Sequence, residues 1–310
     1  MSVIVSVEHL HKQFDGVKAV NDLSFTVNEG DVYGFLGQNG AGKSTSIRMM
    51  MTLIKPDSGN IRIFDKELAH NRNEILKQTG AIIERPDMYK YLSAYDNLSI
   101  FARLSGIKVT RKLLMDQLEK VDLAQRYNSK VKTFSQGMKQ RLGIAIALVH
   151  DPKLIILDEP TNGLDPQGIA DMRRLIIDLS KVHGKTVIVS SHLLSEIEVI
   201  ANRMIIINKG KKVAEGKVSE MLDPSSTIVQ LETTNNEHAG NILQQSHWSA
   251  AVEDSPGSIR LRMNKNDIPQ LAAWLTQNNI GIIALQPKHS LEEYFLSLTN
   301  PENHVEPVSN

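Results

Sequence analysis

Residues 32–45 read Val32-Tyr33-Gly34-Phe35-Leu36-Gly37-Gln38-Asn39-Gly40-Ala41-Gly42-Lys43-Ser44-Thr45. An apolar run stops at a glycine, and Gly37–Ser44 fits G-x-x-x-x-G-K-[ST]. The run Val32–Leu36 reads as a strand and the chain from Lys43 onward as a helix. Between them, the glycines let successive backbone N–H groups turn inward, a cradle for phosphate oxygens that the positive end of the following helix completes. Lys43 would lie along the β- and γ-phosphates of a nucleotide, and the Ser44 hydroxyl would reach Mg²⁺. Strand, loop and helix in that order are the context the motif requires, so the stretch is read as a nucleotide-binding loop of an α/β fold.

Two more apolar runs, Leu154–Leu157 and Thr186–Val189, match the first. Strands apolar on both faces are the mark of a parallel sheet covered by helices, and Asp96–Leu104, Arg111–Val121, Met138–Val149 and Gly168–Val182 have helical periodicity. Ahead of the loop, Val3–Leu10 and Ala19–Val27 read as strands of a β-rich segment. The second run ends in Asp158-Glu159. Asp158 has the place of a strand-end acid that helps hold Mg²⁺, and Glu159, on the other side of the strand axis, could polarise a water for attack on the γ-phosphate. Guanine readers need N-K-x-D, and the nearest match, Asn208-Lys209-Gly210-Lys211, has lysine in place of the carboxylate.

Composition sets the bounds. The chain has 310 residues, 35 basic and 35 acidic, 41% hydrophobic and 23% charged, which is ordinary for a globular protein of about two domains. Zero net charge argues against nucleic acid as a partner. With no cysteine there are no disulfides, thiolate metal sites or cysteine nucleophiles. The N-terminus lacks the pattern of a signal peptide and no apolar run is long enough to span a bilayer, so a soluble chain is expected. Residues 221–310 carry 4 basic and 10 acidic side chains, against 31 and 25 in residues 1–220. A boundary at Leu222-Asp223-Pro224-Ser225-Ser226 is expected, giving a nucleotide-binding domain over 1–222, a small α+β domain over 223–300 and a fraying tail over 301–310. In the small domain Thr227–Glu232, Ser258–Met263 and Gly281–Leu285 read as strands, and His238–Gln245, Asp267–Asn278 and Leu291–Leu298 as helices.

Three further stretches carry a family resemblance over residues 1–220. Phe134-Ser135-Gln136-Gly137-Met138-Lys139-Gln140-Arg141 resembles the signature loop of ABC ATPases. Pro160-Thr161-Asn162-Gly163-Leu164-Asp165-Pro166 is similar to their D-loop, and Ser190-Ser191-His192 to the strand end bearing their switch histidine. The resemblance implies a P-loop NTPase of ABC type, a mostly parallel core sheet with β-rich and helical subdomains, working as a head-to-tail dimer with two ATP molecules and Mg²⁺ at the interface. Ser135, Gln136 and Gly137 would then face the ATP of the opposite subunit, Asp165 would cross to the partner's site, His192 would contact the γ-phosphate, and Phe14 would stack on adenine.

Two positions depart from the family pattern. The signature loop reads F-S-Q-G-M where the common form is L-S-G-G-Q, and Glu84 stands where the family has a glutamine that reaches Mg²⁺ and the attacking water. Glu84, the following P-x-x-Y and Asn97-Leu98 resemble the bacitracin-resistance and lantibiotic-immunity group, as does the ending Ser290-Leu291-Glu292-Glu293-Tyr294-Phe295-Leu296. The resemblance implies a bacterial ATPase at the inner face of the cell membrane, powering a separately encoded permease for antimicrobial or drug export. A soluble ABC ATPase acting on ribosomes or DNA, and a non-hydrolysing or sensing regulator, are the alternatives.

Overall fold

The computed structural model describes residues 2–84, 87–221, 227–253 and 259–288. The chain divides into two compact units, Met1–Val218 and Ser219–Asn310. The expected boundary at 222–226 lies outside the described residues, as do the helix expected at Leu291–Leu298 and the tail from Pro301.

The first unit opens with β1 (Val3–Phe14), β2 (Val17–Asn28) and β3 (Val32–Leu36), followed by α1 (Lys43–Met50). Next come β4 (Ser58–Ile63), β5 (Lys66–Glu67), α2 (Leu68–Leu76), β6 (Thr79–Ile82), α3 (Ala94–Leu104), α4 (Arg111–Lys120) and α5 (Gln136–Leu148). The chain continues through β7 (Leu154–Asp158), α6 (Pro166–Lys181), β8 (Thr186–Ser191), α7 (Leu194–Ile200), β9 (Arg203–Asn208), β10 (Lys211–Lys217) and the short α8 (Val218–Met221). Six strands form one sheet in the order β10-β9-β3-β8-β7-β6, in which every neighbouring pair is parallel except β10 with β9. The central strands β3, β7 and β8 are buried at every residue, the polar ends Asp158, Thr186, Ser190 and Ser191 included, as the apolar runs within them predict.

A second, antiparallel sheet has the order β2-β1-β4-β5. Its inward residues, among them Val5, Leu10, Leu23 and Phe25, share a core with Tyr33 and Phe35 of β3 and Ile47 and Met50 of α1. The Phe25 ring meets Phe35 edge-on at 5.2 Å. This packing fixes the strand–loop–helix unit from the β3 side. β1 runs four residues beyond its expected end at Leu10, and its pairing with β2 is interrupted by register shifts. α5 and α6 each begin two residues earlier than their periodicity suggests, because Ser135 and Asp165 cap them.

The second unit consists of β11 (Thr227–Thr233), α9 (Asn236–Gln244), β12 (Val252–Glu253), β13 (Ile259–Met263), α10 (Ile268–Gln277) and β14 (Ile282–Lys288). Its antiparallel sheet has the order β12-β13-β11-β14. A βαββαβ succession with that order is the ferredoxin-like split arrangement, and its core joins Val229, Leu231 and Leu261 to Leu243, Leu271 and Leu275 of the helices. Among the described residues, no helix is long and apolar enough to cross a membrane.

Candidate active site

The loop Gly37–Gly42 leaves the C-terminal end of β3 and delivers the chain into α1. Gly42 has φ +107°, and a Cβ there would stand 2.4 Å from the Ala19 carbonyl oxygen. At Gly37 a Cβ would meet the Ile207 carbonyl oxygen at 2.6 Å. Both positions admit only glycine, for reasons of space that the nucleotide motif alone does not state. Gln38, Asn39 and Gly40 are exposed at the rim, Ala41 is buried, and Ser44 and Thr45 are half-buried on the first turn of α1. Lys43 is 5% exposed, and its ammonium donates to the carbonyls of Gly37 at 2.7 Å and Gln38 at 3.3 Å.

From behind, the β9–β10 turn supports the loop. Lys209 and Gly210 have φ +47° and +76°, the two left-handed residues of a tight hairpin. The Gly210 N–H donates to the Ala41 carbonyl at 2.9 Å, and its own carbonyl accepts from the Asn21 N–H at 2.9 Å. The Asn208-Lys209-Gly210-Lys211 stretch is therefore a brace for the phosphate loop.

Parallel registry of β7 and β8 sets Asp158 beside Ser190. The Ser190 hydroxyl donates to Asp158 Oδ1 at 2.5 Å and accepts from the Glu159 N–H at 2.9 Å. Asp158 is 2% exposed and faces the cleft beside Ser44. At Glu159 the backbone turns left-handed, φ +49°, and sends the carboxylate between Lys43 and His192: Oε1 lies 3.2 Å from Lys43 Nζ and Oε2 lies 2.7 Å from His192 Nδ1. An ionised carboxylate only accepts, so Nδ1 carries the imidazole proton. Three residues read separately from the sequence thus meet at one carboxylate.

Sequence reasoning missed the polar support around them. Glu196, 4% exposed on α7, accepts from Thr161 Oγ1 at 2.6 Å and from Ser191 Oγ at 2.9 Å through the same Oε2. That pair of bonds ties the loop after β7 to the end of β8. The Ser190-Ser191 doublet beside His192 was the available signal, for two hydroxyls at a strand end need acceptors when buried.

Ser44, Glu84, Asp158 and Glu159 line a cleft of about 450 Å³ together with Gln136 and Gln140 of α5 and Asn162 and Gly163. Glu84 stands at its rim, with its side chain 62% exposed and ion-paired to Arg48 of α1. Ser135 and Asp165 turn to their own helices: Ser135 Oγ accepts from the Met138 N–H at 3.3 Å, and Asp165 Oδ1 from the Gly168 N–H at 2.9 Å. Gly137 packs toward Leu164, where a Cβ would find ordinary contact at 3.8 Å. Phe14 lies apart from the cleft lining, 43% exposed at the end of β1, with Lys12 Nζ 5.2 Å from the ring centre.

A phosphate loop at the end of a central parallel strand, a strand-end acid pair and a histidine on the neighbouring strand define an ATPase built on the P-loop plan. The ABC transporter family profile matches residues 20–162. The chain is 40% identical over 303 residues to the ABC transporter ATP-binding protein YhcH of Bacillus subtilis, covering 96% of this chain and 97% of that protein. It is 41% identical over 303 residues to the bacitracin transport ATP-binding protein BcrA of Bacillus licheniformis, covering 96% and 98%. Among solved structures, cbiO1 of Clostridium perfringens, part of the ABC transporter complex cbiONQ, matches with a TM-score of 0.66 at 25% identity, covering 80% of this chain and 96% of that one. The chain belongs to the ATP-binding subunits of ABC transporters, and it is an ATPase.

Proposed function

We propose that this chain is the energy-coupling subunit of an antimicrobial-export or resistance transporter, acting as a head-to-tail dimer on a separately encoded permease at the inner face of the membrane. Near-complete coverage of a bacitracin transport ATP-binding protein, second unit included, supports the substrate class. The carrying observation is the Glu159 carboxylate held between Lys43 and His192.

The donor set fits ATP with Mg²⁺. Among the described residues no group of three or more His, Asp or Glu could hold a metal by itself, and Mg²⁺ characteristically takes one or two protein ligands with the remainder from phosphates and water. Ser44 and the buried Asp158 supply a hydroxyl and a carboxylate, with Glu84 at the rim. Bound ATP supplies the γ-phosphoryl group, and Mg²⁺ offsets its charge. Lys43, already held in the loop, neutralises the β- and γ-phosphates. Glu159 accepts the proton of the attacking water, and His192 fixes the direction in which its carboxylate points. Ser190 holds Asp158 and the Glu159 backbone in register. Ser135–Gly137, at the start of α5, present N–H groups to the partner's nucleotide, and dimer closure follows because ATP completes both composite sites.

The test is to tag the Glu159→Gln variant, solubilise host membranes in mild detergent with Mg·ATP and identify what co-purifies. A polytopic membrane protein is expected. Recovery with ribosomes or DNA-bound proteins would overturn the transport reading.

A further inference from the structure

Glu84 poses an electrostatic problem. A third carboxylate stands at the rim of a cleft that holds Asp158 and Glu159 and must accept a polyanion. The structure answers it with Arg48, whose guanidinium leaves the last turn of α1 and pairs with Glu84 across 36 positions of sequence. The Arg48 backbone is fixed as well, its carbonyl accepting from the Leu53 N–H at 2.8 Å and the Ile54 N–H at 3.3 Å. Glu84 itself has φ +63°, a left-handed conformation that an L-residue adopts only where its surroundings impose it. A strained backbone and an anchored arginine thus place the carboxylate together.

We propose that Arg48 is a positioning residue for Glu84: it holds that carboxylate neutralised at the rim, so the cleft admits the triphosphate, and it links the phosphate-loop helix to the segment after β6. The inference rests on the ATP-binding reading. Without Arg48, the Glu84 carboxylate is no longer held and can turn toward the cleft, where its repulsion of the three to four negative charges of ATP, at roughly 10 Å and an effective dielectric near that of water, weakens binding about tenfold. Such an effect fades with added salt.

The experiment is a double-mutant cycle read by equilibrium binding of a fluorescent ATP analogue, methylanthraniloyl-ATP, to the full chain. Arg48→Gln is expected to weaken binding about tenfold at low ionic strength and far less at about 0.5 M salt, where screening reaches only a few ångströms. Arg48→Lys, which keeps the charge, retains most of the affinity. Added to Glu84→Gln, the Arg48→Gln change removes only the direct pull of the guanidinium on the nucleotide and costs several-fold less affinity than in the unaltered chain, because no carboxylate is left to turn inward. Equal losses in the two backgrounds, or no loss in Arg48→Gln, would overturn the proposal. Absence of analogue binding by the unaltered chain would overturn the ATP-binding reading beneath it, and that result is seen before any variant is made.

Discussion

Gly210 lies outside the nucleotide motif, yet its replacement should disable the phosphate loop. Its φ of +76° is unfavourable for alanine by about 1–2 kcal/mol. An added Cβ would stand 2.8 Å from the Ala19 carbonyl oxygen, 3.0 Å from Val20 Cα and 3.1 Å from the Ala19 carbonyl carbon. All three are backbone atoms, so no side-chain rotation relieves the contact, and overpacking of this kind adds about 1–3 kcal/mol. The relief available is to move the β9–β10 turn away, which strains the Gly210–Ala41 hydrogen bond beneath the loop. Gly210→Ala should therefore lose about 2–5 kcal/mol, a fall in Tm of roughly 4–20 °C for a unit of this size, and bind ATP more weakly. Gly30→Ala is the control: φ is +80° but nothing lies within 4 Å of the added carbon, so only the conformational part of about 1–2 kcal/mol applies. Thermal unfolding and ATP titration of both variants decide the matter. Equal losses of stability with unchanged ATP affinity in Gly210→Ala would refute the brace.

Ser190→Ala removes a donor from the buried Asp158 carboxylate, the proposed Mg²⁺ ligand, and an acceptor from the Glu159 N–H, so turnover should fall roughly ten- to a hundredfold, checked by steady-state phosphate release. Asp165→Ala should lower stability by about 1 kcal/mol through loss of the α6 cap, while Asp165→Asn keeps the acceptor and the stability; calorimetry separates capping from any effect of the charge on turnover. Burial holds His150 below the ordinary imidazole range, against a hydrogen bond from Nε2 to the Thr79 carbonyl that works the other way. Above the unfolded value of about 6.5 the ring is neutral in both states; as pH falls below it the unfolded chain takes up a proton that the folded chain resists, so stability drops. The decline between pH 7 and pH 5 should be shallower in His150→Gln, measured by urea unfolding.

How far the sequence reached depended on how local the cause was. The phosphate loop, the strand-end acids and the apolar runs of β3, β7 and β8 are contiguous signals, and the sheet they imply is the one observed. β6 and β9 were not read as strands, since Thr79–Ile82 is only four residues with a glycine and Arg203–Asn208 has polar residues at both ends. β1 seemed to end at Leu10 because alternation fails where the register slips, although the chain stays paired with β2 as far as Phe14. The capping roles of Ser135 and Asp165 were open to view, each followed within three residues by the N–H it accepts. Arg48 with Glu84, Glu196 with Thr161, and Gly210 with Ala41 are pairings across 35 to 169 positions that only the folded chain creates. These supports are where the sequence was silent, because nothing local marks a residue whose partner lies on another strand.

The central claim is that the carboxylate between Lys43 and His192 takes the proton of the attacking water. Its most direct test is single-turnover ATP hydrolysis by Glu159→Gln beside equilibrium ATP binding by the same variant. Removing a general base should slow hydrolysis by about 10²–10⁴-fold while ATP affinity stays within a few-fold of the unaltered chain. Hydrolysis at the original rate with intact binding would contradict the account and place the base elsewhere.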